Sequence, residues 1–250
     1  MIQIKDNLLT LKRLSNTVLE RLDRREKIHF LHIGKNAGSQ FRQLAHQFNQ
    51  LNSKYVIIQH SHNKRLSHLR RNALFLFSIR SPETRFKSAF YSRKRKGQPR
   101  YYMDHSPDEK RAFAYFQDAN ELAEALFDQG ERGRQAFCAM KSIYHCATDQ
   151  VDWFDGCGYF FEIHPPLYIL RQETFTRDLK VFFDRIGFPM ENLQLSDDDV
   201  VSHRNNYLSV PALSEKALAN LRDWYCQDFE FYRICESWIE AQSGYAGGLN

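Results

Sequence analysis

Apolar residues fall along this chain in blocks whose spacing changes from segment to segment, and the changes predict its elements. Leu8, Leu11, Leu14, Val18 and Leu22 recur at helical intervals among charged residues, which predicts an amphipathic helix within residues 1–26. A compact β-type run follows from Lys27 to Ile33, stops at Gly34, and gives way to a helical pattern from Ser39 to Phe48. Tyr55 to Gln59 reads as a second strand. Ala73 to Ile79 reads as a third, its nearly unbroken apolar character suiting a strand covered on both faces. Beyond Pro82, residues 83–94 are patterned as a helix, and a basic, turn-rich stretch from Lys94 to Pro107 leads into helical patterns over Lys110 to Phe127 and Arg132 to His145. Leu167 to Leu170 predicts another buried strand, Thr174 to Ile186 an amphipathic helix ending at Gly187, and Ser214 to Cys226 and Asp228 to Ala241 two final helices. Strands that alternate with helices predict an α/β fold, a parallel sheet flanked by helices. On this reading residues 1–250 are a single domain, with 95–158 a helical lobe inserted over the sheet and 244–250 a loose tail.

Composition narrows the ligand class. With 42% hydrophobic residues the chain can bury a substantial core, and a net charge of +5 is too mild for a dedicated nucleic-acid wrapper. That charge suits ligands carrying phosphate or sulfate. The five cysteines, Cys138, Cys146, Cys157, Cys226 and Cys235, form no C-x-x-C pair, so neither a disulfide framework nor a zinc site is expected, and a reducing compartment fits them. No stretch is long and apolar enough to predict an integral membrane segment, and the N-terminus lacks the apolar core of a secretory leader. The expectation is a cytoplasmic protein that needs no metal.

The strand that runs through Gly-Lys-Asn-Ala-Gly-Ser (Gly34 to Ser39) into a helix brings several backbone N–H groups and a helix N-terminus to one point, an arrangement that suits an anion. In an ATP- or GTP-hydrolysing P-loop the lysine closes the loop and a hydroxyl residue follows it to hold Mg²⁺; here Lys35 comes at the beginning. The stretch from Phe30 to Phe41, FLHIGKNAGSQF, resembles the 5′-phosphosulfate loop of the carbohydrate sulfotransferases, with Gly34 where the family has proline and Asn36 where it has threonine. The resemblance implies a P-loop-like fold and the sulfonate donor 3′-phosphoadenylyl sulfate (PAPS), bound by Lys35, Asn36, Ala37, Gly38, Ser39 and Gln40.

PAPS carries a second anion, its 3′-phosphate, and SIRSPETRFKSAF (Ser78 to Phe90) resembles the family's motif for it. Arg80 offers a planar, permanently charged donor and Ser88 a hydroxyl to that phosphate, while Arg85 taken alone reads as a structural ion-pair residue. Gln59 to His62 (QHSH) looks like the His-x-His of the heparan and dermatan uronyl 2-O-sulfotransferases. That likeness implies His62 as the general base, with His60 supporting it or touching the acceptor. His32, inside the strand, reads as structural. The expected chemistry is in-line displacement at sulfur, with Lys35 stabilising charge on the departing 3′,5′-bisphosphate. A later stretch, Ser202 to Ser209, falls where the family closes a loop over the nucleotide, so it reads either as a segment bringing Arg204, Asn205 and Tyr207 to the 3′-phosphate or adenine, or as a solvated surface loop. Glu173 and Asp178 read as architectural.

Acceptor choice is less legible. The basic run Arg93 to Lys96, with Arg100 behind it, reads either as a grip for an acidic saccharide or as a solvated face. Lys141, His145 and Trp153 in the lobe are further acceptor candidates without an assigned role. The resemblance implies a carbohydrate or glycoconjugate acceptor, open to being anionic. It also leaves the Golgi lumen as an alternative location, since related animal enzymes work there behind a membrane anchor. Two rival functions stay open: a P-loop nucleotide kinase using the same cradle for ATP, and a non-catalytic polyanion-binding module.

Overall fold

The computed structural model describes residues 23–99, 101–154, 158–195, 207 and 209–244. Most of the predicted N-terminal helix, the predicted ligand residues Arg204 and Asn205, and nearly all of the tail lie outside the described residues.

Four strands form one all-parallel sheet in the order β2-β1-β3-β4: β1 is Glu26–Leu31, β2 Tyr55–Gln59, β3 Leu74–Ile79 and β4 Tyr168–Arg171. Helix α1 (Gly38–Leu51) joins β1 to β2, and α2 (Pro82–Lys94) follows β3. Three helices of the lobe come next: α3 (Pro107–Tyr115), α4 (Ala119–Ala125) and α5 (Glu131–Ser142). A single turn, α6 (Phe160–Ile163), precedes β4, and α7 (Phe175–Arg185), α8 (Glu215–Trp224) and α9 (Cys226–Gly244) complete the described chain. No described helix is long and apolar enough to cross a membrane.

The sheet is buried because its strands carry apolar side chains on both faces. Phe75, Leu76, Phe77 and Ile79 of β3 are fully buried, and the Phe77 ring packs on Phe154, Phe160 and Phe231. A second cluster, built on Phe86 and Phe90 of α2, Leu122 of α4, Met140 of α5 and Leu221 of α8, forms the core of the lobe. Helix α2 therefore belongs to both halves: its start abuts the sheet and its apolar face holds the lobe.

Two boundaries differ from the hydrophobic pattern. Strand β1 stops at Leu31, two residues early, because the Ile33 N–H turns back to the Leu31 carbonyl (3.2 Å) and the His32 carbonyl is taken by a side chain. The pattern over 110–127 is split in two, since Phe116 is extended and Asp118 caps a fresh helix by accepting from the Glu121 N–H (2.9 Å).

The junction of α2 and α3 rests on one buried ion pair. Glu109 closes a capping box with Ser106 and also takes both Nε and Nη2 of Arg93, each at 2.7 Å, with the arginine fully buried. Removing one partner leaves a buried charge alone. Arg93→Ala is expected to destabilise the protein by about 3–5 kcal/mol, read as a lowered midpoint of urea unfolding, whereas the exposed Arg233→Ala should shift it by less than about 1 kcal/mol.

Candidate functional site

The chain leaves β1 for β2 on one side and then crosses to β3 on the other, so the connections after β1 and β3 diverge and open a crevice at the carboxyl ends of the strands. Parallel sheets bind ligands in such crevices. Here a cavity of about 580 Å³ fills it. The loop after β1 contributes Lys35, Ala37, Gly38, Ser39 and Gln40, the segment after β2 His62, and β3 with α2 Arg80, Ser88 and Ser92. Residues 172–177 after β4 form another wall, and His145 and Tyr207 come from farther along the chain.

The loop is shaped by its backbone. Lys35 (φ 73°) and Ala37 (φ 60°) both sit in the left-handed region, which turns successive N–H groups toward one point in the manner of an anion nest. Its two glycines are each pressed by an imidazole: a Cβ on Gly34 would overlap the ring of His145, and one on Gly38 the ring of His32. The loop is also anchored from beneath. Asn36 Nδ2 donates to the Ser78 carbonyl (2.8 Å) and to Gln150 Oε1 (2.6 Å), and the Ser78 hydroxyl donates to the Asn36 carbonyl. Gln150 clamps Arg80 as well, accepting its N–H (3.0 Å) and donating to its carbonyl (2.8 Å). Arg85 Nε donates to the Gly34 carbonyl (3.1 Å) while its Nη1 lies 3.7 Å from Asp228.

Charge in the cavity is predominantly positive. Burial, with Arg80, Arg95 and Arg85 nearby, pushes the Lys35 ammonium down to about 8. Arg80 reaches the Lys35 carbonyl with Nη1 (3.3 Å) and Thr84 with Nε (3.0 Å). The carboxylate in the lining, Glu173, is engaged by the Ser81 N–H (2.9 Å) and the Tyr232 hydroxyl (3.4 Å).

Three imidazoles share the lining: His32, His62 and His145. The rings of His32 and His62 lie 4.1 Å apart, and His145 meets His62 edge-on at 5.2 Å. His62 Nδ1 is 2.9 Å from the His32 carbonyl, an acceptor only, so Nδ1 carries the proton and Nε2 keeps a free lone pair. Burial lowers its basicity, with Arg42, Lys35 and Arg85 adding to the effect, so the neutral form prevails near pH 7.

The structure brings Lys35, Ala37, Gly38, Ser39, Gln40, Arg80, Ser88 and His62 to one cavity. Asn36, expected to face the ligand, instead turns its amide inward to Ser78 and Gln150, because a buried amide needs those partners. His60 is not among the lining residues; its Nε2 pairs with His29 Nδ1 at 2.8 Å and the two rings stack. Burial and the neighbouring His29 push His60 down to about 4. The basic run does not form one patch: Arg93 is buried on Glu109, Lys94 Nζ donates to the Gln117 carbonyl, and Lys96 pairs with Asp104 at 2.8 Å. His32, read as structural, lines the cavity. Gln150 went unsingled, because nothing in its local pattern distinguishes it from a surface glutamine. His145, an acceptor candidate without an assigned role, lines the cavity with its ring against the Gly34 backbone. Among the described residues no group of three or more His, Cys, Asp or Glu side chains is placed to hold a metal ion.

Comparison with protein-family models gives no match to the chain, and comparison with curated proteins gives none either.

The glycine at the start of α1 is directly testable. The His32 ring is held by Gln59 Nε2 (3.2 Å) and by His62, so it cannot swing aside freely for a new methyl group. Gly38→Ala is expected to lower stability by about 1–3 kcal/mol, as overpacking does, measured by urea unfolding.

Proposed function

We propose that this chain is a sulfotransferase, on a P-loop-like α/β fold, that moves a sulfonate group from PAPS to a hydroxyl of a carbohydrate acceptor. The observation that carries this reading is convergence. Two separate anion-binding elements, the Lys35–Gln40 loop and the Arg80/Ser88 pair, line one cavity together with a histidine whose tautomer leaves Nε2 free. PAPS has an anionic group for each element, the 5′-phosphosulfate for the loop and the 3′-phosphate for the pair. A donor set of backbone N–H groups, an ammonium, a guanidinium and a hydroxyl fits both. The bare Gly38 leaves room for the His32 ring to pack against the start of α1, where that ring joins the cavity lining.

In this reading the acceptor oxygen attacks sulfur as its proton passes to His62 Nε2. The bond from sulfur to the 5′-phosphate oxygen breaks in line, and its electron pair stays on that oxygen, which becomes part of the 3′,5′-bisphosphate. Lys35 stabilises the charge there. Arg80 and Ser88 hold the nucleotide by its 3′-phosphate, and Arg177, mostly exposed at the rim of the cavity, offers a cation to an anionic saccharide.

Calorimetric titration with 3′,5′-adenosine bisphosphate tests the reading. The expected result is binding that Lys35→Ala with Arg80→Ala weakens by about a hundredfold or more, as loss of two charge-assisted anchors implies. Indifference to the bisphosphate together with binding of ATP and Mg²⁺ would overturn it in favour of a kinase. Affinity should also depend on pH with a definite sign. An ammonium held near 8 when free and raised by a bound anion gives up its proton as pH rises, so bisphosphate affinity should fall about tenfold between pH 7 and pH 9. Titrations at both values check this, and Lys35→Met should abolish that dependence.

A further inference from the structure

His145 is a site residue in its own right. It stands just beyond α5, where the lobe turns back to the sheet, in a left-handed conformation (φ 71°) that a non-glycine residue seldom adopts. Its side chain is 7% exposed and lines the cavity. The ring lies against the Gly34 backbone at the mouth of the phosphate loop, edge-on to His62 and 4.1 Å from the ring of Tyr144. No hydrogen bond joins either ring nitrogen to another described residue, and neither is among the fully buried polar atoms without a partner, so the ring is open to the cavity it lines. Burial, reinforced by the positively charged neighbours Lys35 and Arg85, keeps it neutral, so one nitrogen is an N–H donor and the other an acceptor.

Resting on the sulfotransferase reading, we propose that His145 is a catalytic residue that donates a hydrogen bond from its ring to a non-bridging oxygen of the transferring sulfonate, between Lys35 on the leaving-group side and His62 on the acceptor side. A backbone strained into the left-handed region and a glycine kept bare beneath the ring are what such a placement requires. The ring makes and breaks no covalent bond and transfers no proton. Its work is to hold the sulfonate in line, and its neutrality avoids clamping the donor before reaction. The lobe thereby reaches the reacting group as well as framing the acceptor.

The discriminating comparison is between PAPS and its product. The 3′,5′-bisphosphate keeps both phosphates and lacks the sulfonate, so a group that touches only the sulfonate affects one ligand and not the other. Two variants separate the donor from the ring's packing. His145→Phe keeps a ring over Gly34 and has no N–H, while His145→Asn gives up the ring, keeps an N–H and tolerates the left-handed backbone. By calorimetry at pH 7, His145→Phe should leave bisphosphate affinity within about twofold and weaken PAPS about tenfold or more, with His145→Asn intermediate for PAPS. Slow transfer of the sulfonate to water, followed as bisphosphate release, should drop by about a hundredfold in His145→Phe, in the range lost when one preorganised donor is removed. Equal weakening of both ligands, or normal PAPS behaviour in His145→Phe with loss in His145→Asn, would make the ring a packing element and overturn the proposal. Failure of the unsubstituted protein to bind the bisphosphate would instead bring down the sulfotransferase reading itself, and the sulfonate contact with it.

Discussion

The site depends on how closely other groups approach the backbone of the loop between β1 and α1. Two imidazoles occupy the space that side chains at Gly34 and Gly38 would fill, one supplied by the end of β1 and the other by the lobe. A loop built from residues with side chains at those two points could not be gripped in this way. The glycines therefore do more than permit tight turns; each is the missing half of a contact. His32 and His145 press on the loop, and both rings contact His62. Van der Waals contact at this density transmits small displacements, so a change at any of the rings is felt by the loop between β1 and α1.

Polar groups beneath the loop complete the restraint. Gln150 bonds simultaneously to Asn36 in the loop and to both backbone groups of Arg80 at the end of β3. A single amide thus fixes the separation between the loop after β1 and the end of β3, and it does so from the segment that returns from the lobe. Arg85 repeats the logic by linking the Gly34 carbonyl to Asp228 of α9. These are buried polar bonds in surroundings of low dielectric, where breaking one leaves an orphaned partner. The lobe and the last helix consequently stabilise the cradle directly, although neither contains a recognisable anion motif.

Local pattern made much of this visible and long-range pairing did not. Tyr55 to Gln59 is a strand over the predicted residues, and the apolar block ending at Ile79 is a central strand with buried faces. The tight turn between β1 and α1 and the Arg80–Ser88 spacing were legible because each is encoded within about a dozen residues, by glycine, charge and helical period. Gln150 was not, since its partners lie 114 and 70 positions away and only folding brings them together. The same limit explains Asn36: its place in the loop suggests a ligand contact, but the direction of its side chain is set by Ser78 and Gln150. It explains the basic run too, because a charge count says nothing of the buried Glu109 that claims Arg93.

Electrostatics tie the proposed base to the proposed ligand. Burial lowers the basicity of His62 and His145, and the neighbouring cations reinforce it, so both imidazoles stay neutral beside Lys35 and Arg85. On the proposed reading, the field that draws the anionic donor into the cavity is also the field that keeps His62 unprotonated and ready to accept. Once the two anionic ends of a PAPS molecule are in place, they offset Lys35 and Arg80, and the repulsion that held down the basicity of His62 weakens. Proton affinity at Nε2 then rises in the complex, where an acceptor hydroxyl must surrender its proton. In the proposed reaction, donor binding and activation of the base are one electrostatic event, and an acceptor arriving before the donor would meet a histidine less able to take its proton.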